Sequence, residues 1–218
     1  MAELQSVDAW ITYIDVWGFS QLVEHAKPEE LHNRLEQIVQ KCTNTLNSNK
    51  SGIPRVFFFS DSLFLAFDIP RCGTRFEAYE TCRDKTQEVI QIYLDQGFCP
   101  RGGIAFGNVA VAEGILFGQP VVRAARYEHA LTAPLVVLPM HEASRCFGEN
   151  SPLNYQNCSD VPTRNGGLIK AHLVRAIHDT EQIDKYRILR DKYLVEGPDT
   201  GAAALDLAVQ LLTNGRQR

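Results

Sequence analysis

Two aspartates sit where an apolar sequence has least use for a carboxylate. Asp15 interrupts the run AWITYIDVWGF at residues 9–19, and Asp61 stands between two serines in RVFFFSDSLFLAF at residues 55–67. Asp61 alone has a plain explanation: Ser and Asp are good turn formers, and the segment reads as two strands meeting at a tight turn. Asp15 has a weaker one, because a carboxylate inside an apolar strand needs a partner. If the two converge, their chemistry is that of hard divalent cations. Mg²⁺ and Mn²⁺ prefer oxygen ligands and accept substrate phosphates as the rest of their shell. Two such ions can hold both an attacking oxygen and the phosphorus under attack.

The elements that must position these residues follow from periodicity and punctuation. Residues 9–19 read as a strand ended by Gly18, followed by a helical pattern to about Asn47 whose main section opens at Pro28-Glu29-Glu30. RVFFFSD and SLFLAF form a hairpin, residues 74–96 a helix stopped at Gly97, and RGGIAFG with NVAVAEG a second hairpin. A helix from about Pro120 to Leu131, the short strand LVVLP and a further helix come next. Residues 148–167 read as a loop rich in Asn, Ser, Pro and Gly, GLIKAHLVRAI as the last strand, and residues from Thr180 onward as two helices broken at GPDTG. Strand–helix–strand–strand–helix–strand is the split βαβ, ferredoxin-like pattern. The expectation is an α+β fold: an antiparallel sheet with helices on one face over residues 1–178, then a helical C-terminal extension at 179–218. In that topology the strands carrying Asp15 and Asp61 are neighbours.

The 218-residue chain is 44% hydrophobic and 22% charged, ordinary for a globular domain, and its net charge of −4 gives no general attraction for nucleic acid or anionic membrane. The six cysteines show no paired C-x-x-C spacing and read as reduced thiols. No basic-then-apolar leader opens the sequence and no stretch approaches the roughly 20 apolar residues of a membrane span, so a cytoplasmic protein is expected. Phe57, Phe58 and Phe59 could imitate the sheet aromatics of an RNA-binding ferredoxin-like domain, but the basic surface such a domain needs is missing. His129, His141 and His172 have no ligand spacing and read as structural or surface residues.

Four segments, in order, resemble the catalytic domain of class III nucleotide cyclases over residues 9 to about 138. YIDVWGFSQLV is similar to that family's first metal-binding segment and FFFSDSLFLAF to its second. RGGIAFGNVAVAEG resembles the Arg-x-Gly-Ile-x-x-Gly hairpin, and FGQPVVRAARYE the helix that carries the transition-state residues. The resemblance implies that Asp15 and Asp61, with the backbone carbonyl of Val16, bind two divalent ions, Mn²⁺ or Mg²⁺. It further implies that Arg101 contacts the nucleotide's phosphates and that Arg126 stabilises charge on the α-phosphate, with Arg123 one turn earlier a second candidate. Their alternative readings are an exposed strand-end arginine and solvated helix positions. A guanidinium fork donates two bonds at once to a phosphate, which a lysine cannot do. Arg164 or Lys170 could supply a late phosphate-binding cation. The resemblance also implies a head-to-tail homodimer in which the aspartates of one subunit meet the arginine of the other.

The chain departs from the family at the base-reading positions. Phe57 stands where adenylate cyclases place lysine, Ile115 where their second base-reading residue falls, and Val122 in place of an asparagine. A purine edge facing Phe57 and Ile115 would leave polar groups unmet, at about 1–3 kcal/mol each. An aromatic at the base position is similar to the pyrimidine cyclases of bacterial Pycsar antiphage systems, where a smaller base stacks on an aromatic residue. Phe57 or Phe58 would serve here, since stacking is tolerant of base identity. The expected reaction is UTP to 3′,5′-cyclic UMP and pyrophosphate, making a messenger read by a separate effector in antiphage defence. The alternatives are a cytidylate cyclase, an adenylate cyclase with an atypical base pocket, and an inert nucleotide-binding or dimerisation module.

Overall fold

The computed structural model of the protein describes residues 4–47, 54–148, 153, 158–176, 179–196 and 199–214. Its central strand, β1 (Gln5–Val16), divides the molecule by the alternation of its side chains. Trp10, Ile14 and Val16 enter the main core, whereas Ala9 and Ile11 join a smaller apolar cluster on the opposite face. The helical pattern after Gly18 is two helices, α1 (Phe19–His25) and α2 (Pro28–Asn47), parted just ahead of the proline. The hairpin β2 (Arg55–Phe59) and β3 (Ser62–Asp68) follows, then the short α3 (Ile69–Cys72) and α4 (Arg75–Asp95). A reciprocal cap opens α4: Thr74 accepts from the Glu77 amide at 3.1 Å and the Glu77 carboxylate accepts from the Thr74 amide at 2.7 Å.

RGGIAFG and NVAVAEG are not a hairpin. They form one strand, β4 (Pro100–Ala112), because β1 offers an unbroken partner from Val16↔Pro100 to Gln5↔Val111. The turn comes later, at Glu113–Gly114, and leads into the short β5 (Ile115–Phe117). Then come α5 (Gln119–Ala130), the fully buried β6 (Val136–Pro139) and α6 (Met140–Phe147). Within the segment read as a loop lies a further strand, β7 (Ser159–Pro162), too short for a pattern of its own and held by pairing with β8 (Leu168–Val174). Helices α7 (Asp179–Glu196) and α8 (Asp199–Asn214) close the chain.

The sheet order is β2–β3–β1–β4–β6–β8–β7, with β5 beside β4. The first four strands are antiparallel, as the split βαβ pattern requires, and β4–β6 is a parallel pair. Helices α2 and α4 cover one face: Leu31, Ile38, Tyr79 and Val89 pack with Trp10 and Leu65, and Thr12 Oγ1 bonds Thr86 Oγ1 at 3.0 Å. Helix α5 crosses to the other face, where Ala124 meets Ile11 and Ala105. The helical extension shares the main core through Ile183, Tyr186, Leu205, Ala208 and Leu212. Tyr186 is fully buried and its hydroxyl donates to the Pro134 carbonyl at 2.7 Å, just ahead of β6. Tyr186→Phe should therefore lower unfolding free energy by about 1–3 kcal/mol, the cost of an unmet buried polar group; chemical denaturation checks this.

Candidate active site

The two-residue turn between β2 and β3 aims Asp61. Ser60 is the one non-glycine residue with positive φ among the described residues, at 57°, a left-handed conformation that most side chains avoid. The register Ile14↔Leu63 and Tyr13↔Phe64 brings this turn beside the end of β1. Asp15 and Asp61 come within hydrogen-bonding reach of each other there. Burial first, and the charge of Asp15 second, push the Asp61 carboxyl up to about 6. Tyr93 of α4 ties the turn down by donating to the Asp61 carbonyl at 3.3 Å. Ser62 Oγ donates to Asp15 Oδ1 at 2.7 Å, and the Tyr13 hydroxyl lies 3.0 Å from Ser62 Oγ.

Arg101 faces Asp15 across the β1–β4 pair, but its guanidinium is buried and ion-paired with Glu128 of α5. Burial pushes Glu128 up, Arg101 pulls it down, and Asp15 adds to the upward push. Three carboxyl groups and one arginine thus share the end of β1, a surplus of negative charge that suits a cation. Among the described residues no cluster of three or more His, Cys, Asp or Glu forms a metal cage. A pair such as Asp15 and Asp61 instead suits ions that take much of their shell from substrate oxygens. Val16 is buried in the main core by its side chain, which leaves only its backbone carbonyl for such a role.

Helix α5 sits close to β4 because Gly103 has no side chain. A Cβ there would lie 2.5 Å from Tyr127 Cβ and 2.7 Å from the Ala124 carbonyl oxygen. Pro120, Ala124 and Glu128 are the buried residues of α5, whereas Val122, Arg126 and His129 are exposed. Arg126 has no hydrogen bond or ion pair among the described residues. Arg123 is engaged through Nε and Nη2: Nε donates to Glu142 Oε1 at 2.7 Å, and Nη2 to the Phe106 carbonyl at 2.7 Å and Glu142 Oε2 at 3.1 Å. The Phe106 amide and the Tyr127 hydroxyl complete the shell of Glu142, which has no exposed surface. Burial raises that carboxyl, yet the bonds from Arg123, Tyr127 and Phe106 outweigh it and hold it below the ordinary value. Arg164 is engaged as well, its Nε donating to the Leu131 carbonyl just past α5 at 3.1 Å, while Lys170 lies exposed on β8.

The aromatic candidates separate by strand parity. Phe57 pairs with Phe64, which pairs with Tyr13, so Phe57 shares the face of Asp15. Phe58 turns to the opposite face and packs against the main core, which withdraws it as a base-stacking residue. Phe59, 78% exposed, lies on the Asp15 face, opposite Ser62. Ile115 pairs with Ala112, about 35 Å along β4 from Arg101 at ~3.3 Å per residue. Within one chain Ile115 therefore cannot line a pocket with Phe57 and the carboxylates. The sequence reading passed over Tyr13, Ser62, Glu128 and Glu142. Period-two spacing from Asp15 signals Tyr13, and the α5 stripe at 120, 124 and 128 signals a buried Glu128. Neither Ser62 nor Glu142 carries such a signal.

No protein-family model matches the sequence, and no curated protein matches it. Solved structures do. The chain is similar to the adenylyl cyclase CyaB from P. aeruginosa, with 18% identity and a TM-score of 0.55 over 81% of this chain and 98% of that one. It is similar to the non-canonical dimeric guanylyl cyclase domain of the RhoGC fusion protein from the aquatic fungus Blastocladiella emersonii, with 10% identity, a TM-score of 0.58, and 80% and 98% coverage. A rhodopsin-guanylyl cyclase catalytic core with converted specificity, in complex with ATPαS, gives 13%, 0.59, 81% and 100%. The fold is that of the class III cyclase catalytic domain.

Glu142→Gln should lower unfolding free energy at neutral pH by about 1–3 kcal/mol, because Gln cannot satisfy three donors equally. The folded-state pKa of Glu142 is depressed, so its ionic contribution is complete above the unfolded value near ~4.3 and is lost as pH falls through the folded one. The stability gap between wild type and variant should accordingly close in acid, as pH-dependent denaturation would record.

Proposed function

We propose that the protein is a nucleotide cyclase that converts a nucleoside triphosphate into its 3′,5′-cyclic monophosphate and pyrophosphate. The observation that carries this reading is the meeting of Asp15 and Asp61, far apart in sequence, at one end of β1. Asp15, Asp61 and the Val16 carbonyl would hold two divalent ions, Mn²⁺ or Mg²⁺. Bound there, the ions would supply charge neutralisation for the triphosphate and acidify the ribose 3′-hydroxyl. The 3′-oxygen attacks the α-phosphorus in line; the new P–O bond forms as the bond to pyrophosphate breaks, and the hydroxyl proton passes to solvent water. Arg126, the guanidinium of α5 with no partner among the described residues, neutralises charge developing on the α-phosphate. Arg101 and Arg123 are held by Glu128 and Glu142, so their part is to fix α5 on β4.

Two features support a head-to-tail homodimer. Arg126 points away from its own sheet, and Ile115 is a strand's length from Phe57, so a second copy must bring them to the carboxylates. The exposed side chains Phe59, Ile115, Phe117 and Val122 give such a dimer apolar surface to bury. For the base, Phe57 and the polar deficit at Ile115 favour a pyrimidine, and UTP is the preferred substrate, with CTP second. By its likeness to the Pycsar enzymes the cyclic UMP would serve antiphage defence in the cytoplasm, read by a separate effector. No helix among the described residues is long and apolar enough to cross a membrane. One observation favours an inert nucleotide-binding module instead: Arg101, expected at the phosphates, is already paired.

Incubation of the pure protein with ATP, GTP, CTP and UTP separately, with Mn²⁺, followed by mass identification of products, decides between these. Cyclic UMP should dominate; no cyclic product from any triphosphate would leave the inert reading. Asp61→Ala should abolish product with the fold intact by circular dichroism. Asp61→Ala and Arg126→Ala subunits, each inactive alone, should on equal mixing recover about a quarter of wild-type activity, since half the dimers then carry one complete site.

A further inference from the structure

We infer that Tyr13 and Ser62 are positioning residues that fix the Asp15 carboxylate for cation binding through a hydrogen-bond chain of determined direction. The inference rests on the cyclase reading of this site and adds to it two residues that touch neither substrate nor cation. A serine hydroxyl has a single proton. Ser62 Oγ gives that proton to Asp15 Oδ1 at 2.7 Å. The 3.0 Å contact between Ser62 Oγ and the Tyr13 hydroxyl must then run the other way, with Tyr13 donating. The chain reads Tyr13 to Ser62 to Asp15, and it delivers a donor to one carboxylate oxygen, Oδ1.

The fold makes this chain a consequence of strand register. Tyr13 and Asp15 are two apart on β1 and so share a face, and Tyr13 pairs with Phe64 two residues beyond Ser62. The Tyr13 ring is itself held, tilted at 37° against Phe64 with centroids 4.5 Å apart. A half-buried tyrosine packed this way has little rotational freedom, so its hydroxyl is fixed by the sheet. Second partners of this kind orient ligating carboxylates, and their loss typically weakens metal affinity by about 10–100-fold. Among the described residues no side chain outside its own turn donates to the Asp61 carboxylate, so Asp15 is the anchored member of the pair.

The test uses the full chain and Mn²⁺ alone, with binding read from loss of the free-ion electron paramagnetic resonance signal and compared with the Mn²⁺ dependence of product formation. Ser62→Ala should weaken Mn²⁺ binding by about tenfold or more and raise the Mn²⁺ needed for half-maximal turnover, with kcat restored at saturating Mn²⁺. Tyr13→Phe should shift both in the same direction by less, and Ser62→Thr, which keeps the hydroxyl, should return them towards wild type. Melting curves establish that each variant is folded, and Tyr13→Phe carries the test if Ser62→Ala is not. Wild-type Mn²⁺ affinity in Ser62→Ala and Tyr13→Phe, alongside lost affinity in Asp15→Asn, would overturn the positioning role and leave the cyclase reading standing. Wild-type protein that binds no Mn²⁺, or binds it undiminished in Asp15→Asn, would overturn both.

Discussion

Two carboxylates cannot be brought together inside a protein without something to offset their repulsion, and that constraint organises this molecule. Asp15 lies on the central strand and Asp61 on a hairpin tip, and the pairing of β1 with β3 leaves neither a way to withdraw. The chain answers with partial measures: a serine donor on Asp15, a proton affinity in Asp61 raised to about 6, and an adjacent arginine already shared with Glu128. None of these neutralises the pair. Groups this close with an unsatisfied electrostatic demand are characteristic of functional sites, where the missing charge arrives with the ligand.

The second constraint concerns α5. A helix carrying an exposed arginine is useful in catalysis only if its axis is fixed, and two buried ion pairs fix it. Arg101–Glu128 joins it to the start of β4, and Arg123–Glu142 joins it to α6, with Gly103 allowing the close approach between them. Each pair is costly to desolvate, but breaking either would leave a buried charge without a partner. Arg101 and Arg123, which the sequence offered as phosphate ligands, are thus tied into the scaffold by ion pairs, and Arg126 has no partner among the described residues. The buried thiols stand outside this chemistry: Cys42, Cys82 and Cys99 are pushed by burial up to about 12, far from thiolate reactivity.

Much of this was legible in the sequence because it depends on local pattern. Alternation marked β1, two apolar runs around a tight turn marked β2 and β3, the glycine stop at Gly97 marked the end of α4, and an aspartate at a hairpin tip next to one on a neighbouring strand marked the carboxylate pair. What failed to show depends on partners distant in the chain. β4 is continuous only because β1 is long enough to pair with all of it, and Gly107–Asn108, which resembles a turn, is drawn straight. β7 exists only beside β8. Phe57 and Phe58 are indistinguishable by type, and only register places one beside the carboxylates and the other in the core. The exposure of an arginine could not be read at all, since it turns on where Glu128 and Glu142 fall in three dimensions.

The measurement that bears most directly on this account is a crystal structure of the protein grown with Mn²⁺ and a non-cyclisable UTP analogue, with manganese located by its anomalous scattering. The account predicts manganese in contact with the carboxylates of both Asp15 and Asp61 and with the triphosphate, and Arg126 of a second subunit facing the α-phosphate. Manganese bound elsewhere, or a triphosphate seated away from the two aspartates, would contradict it.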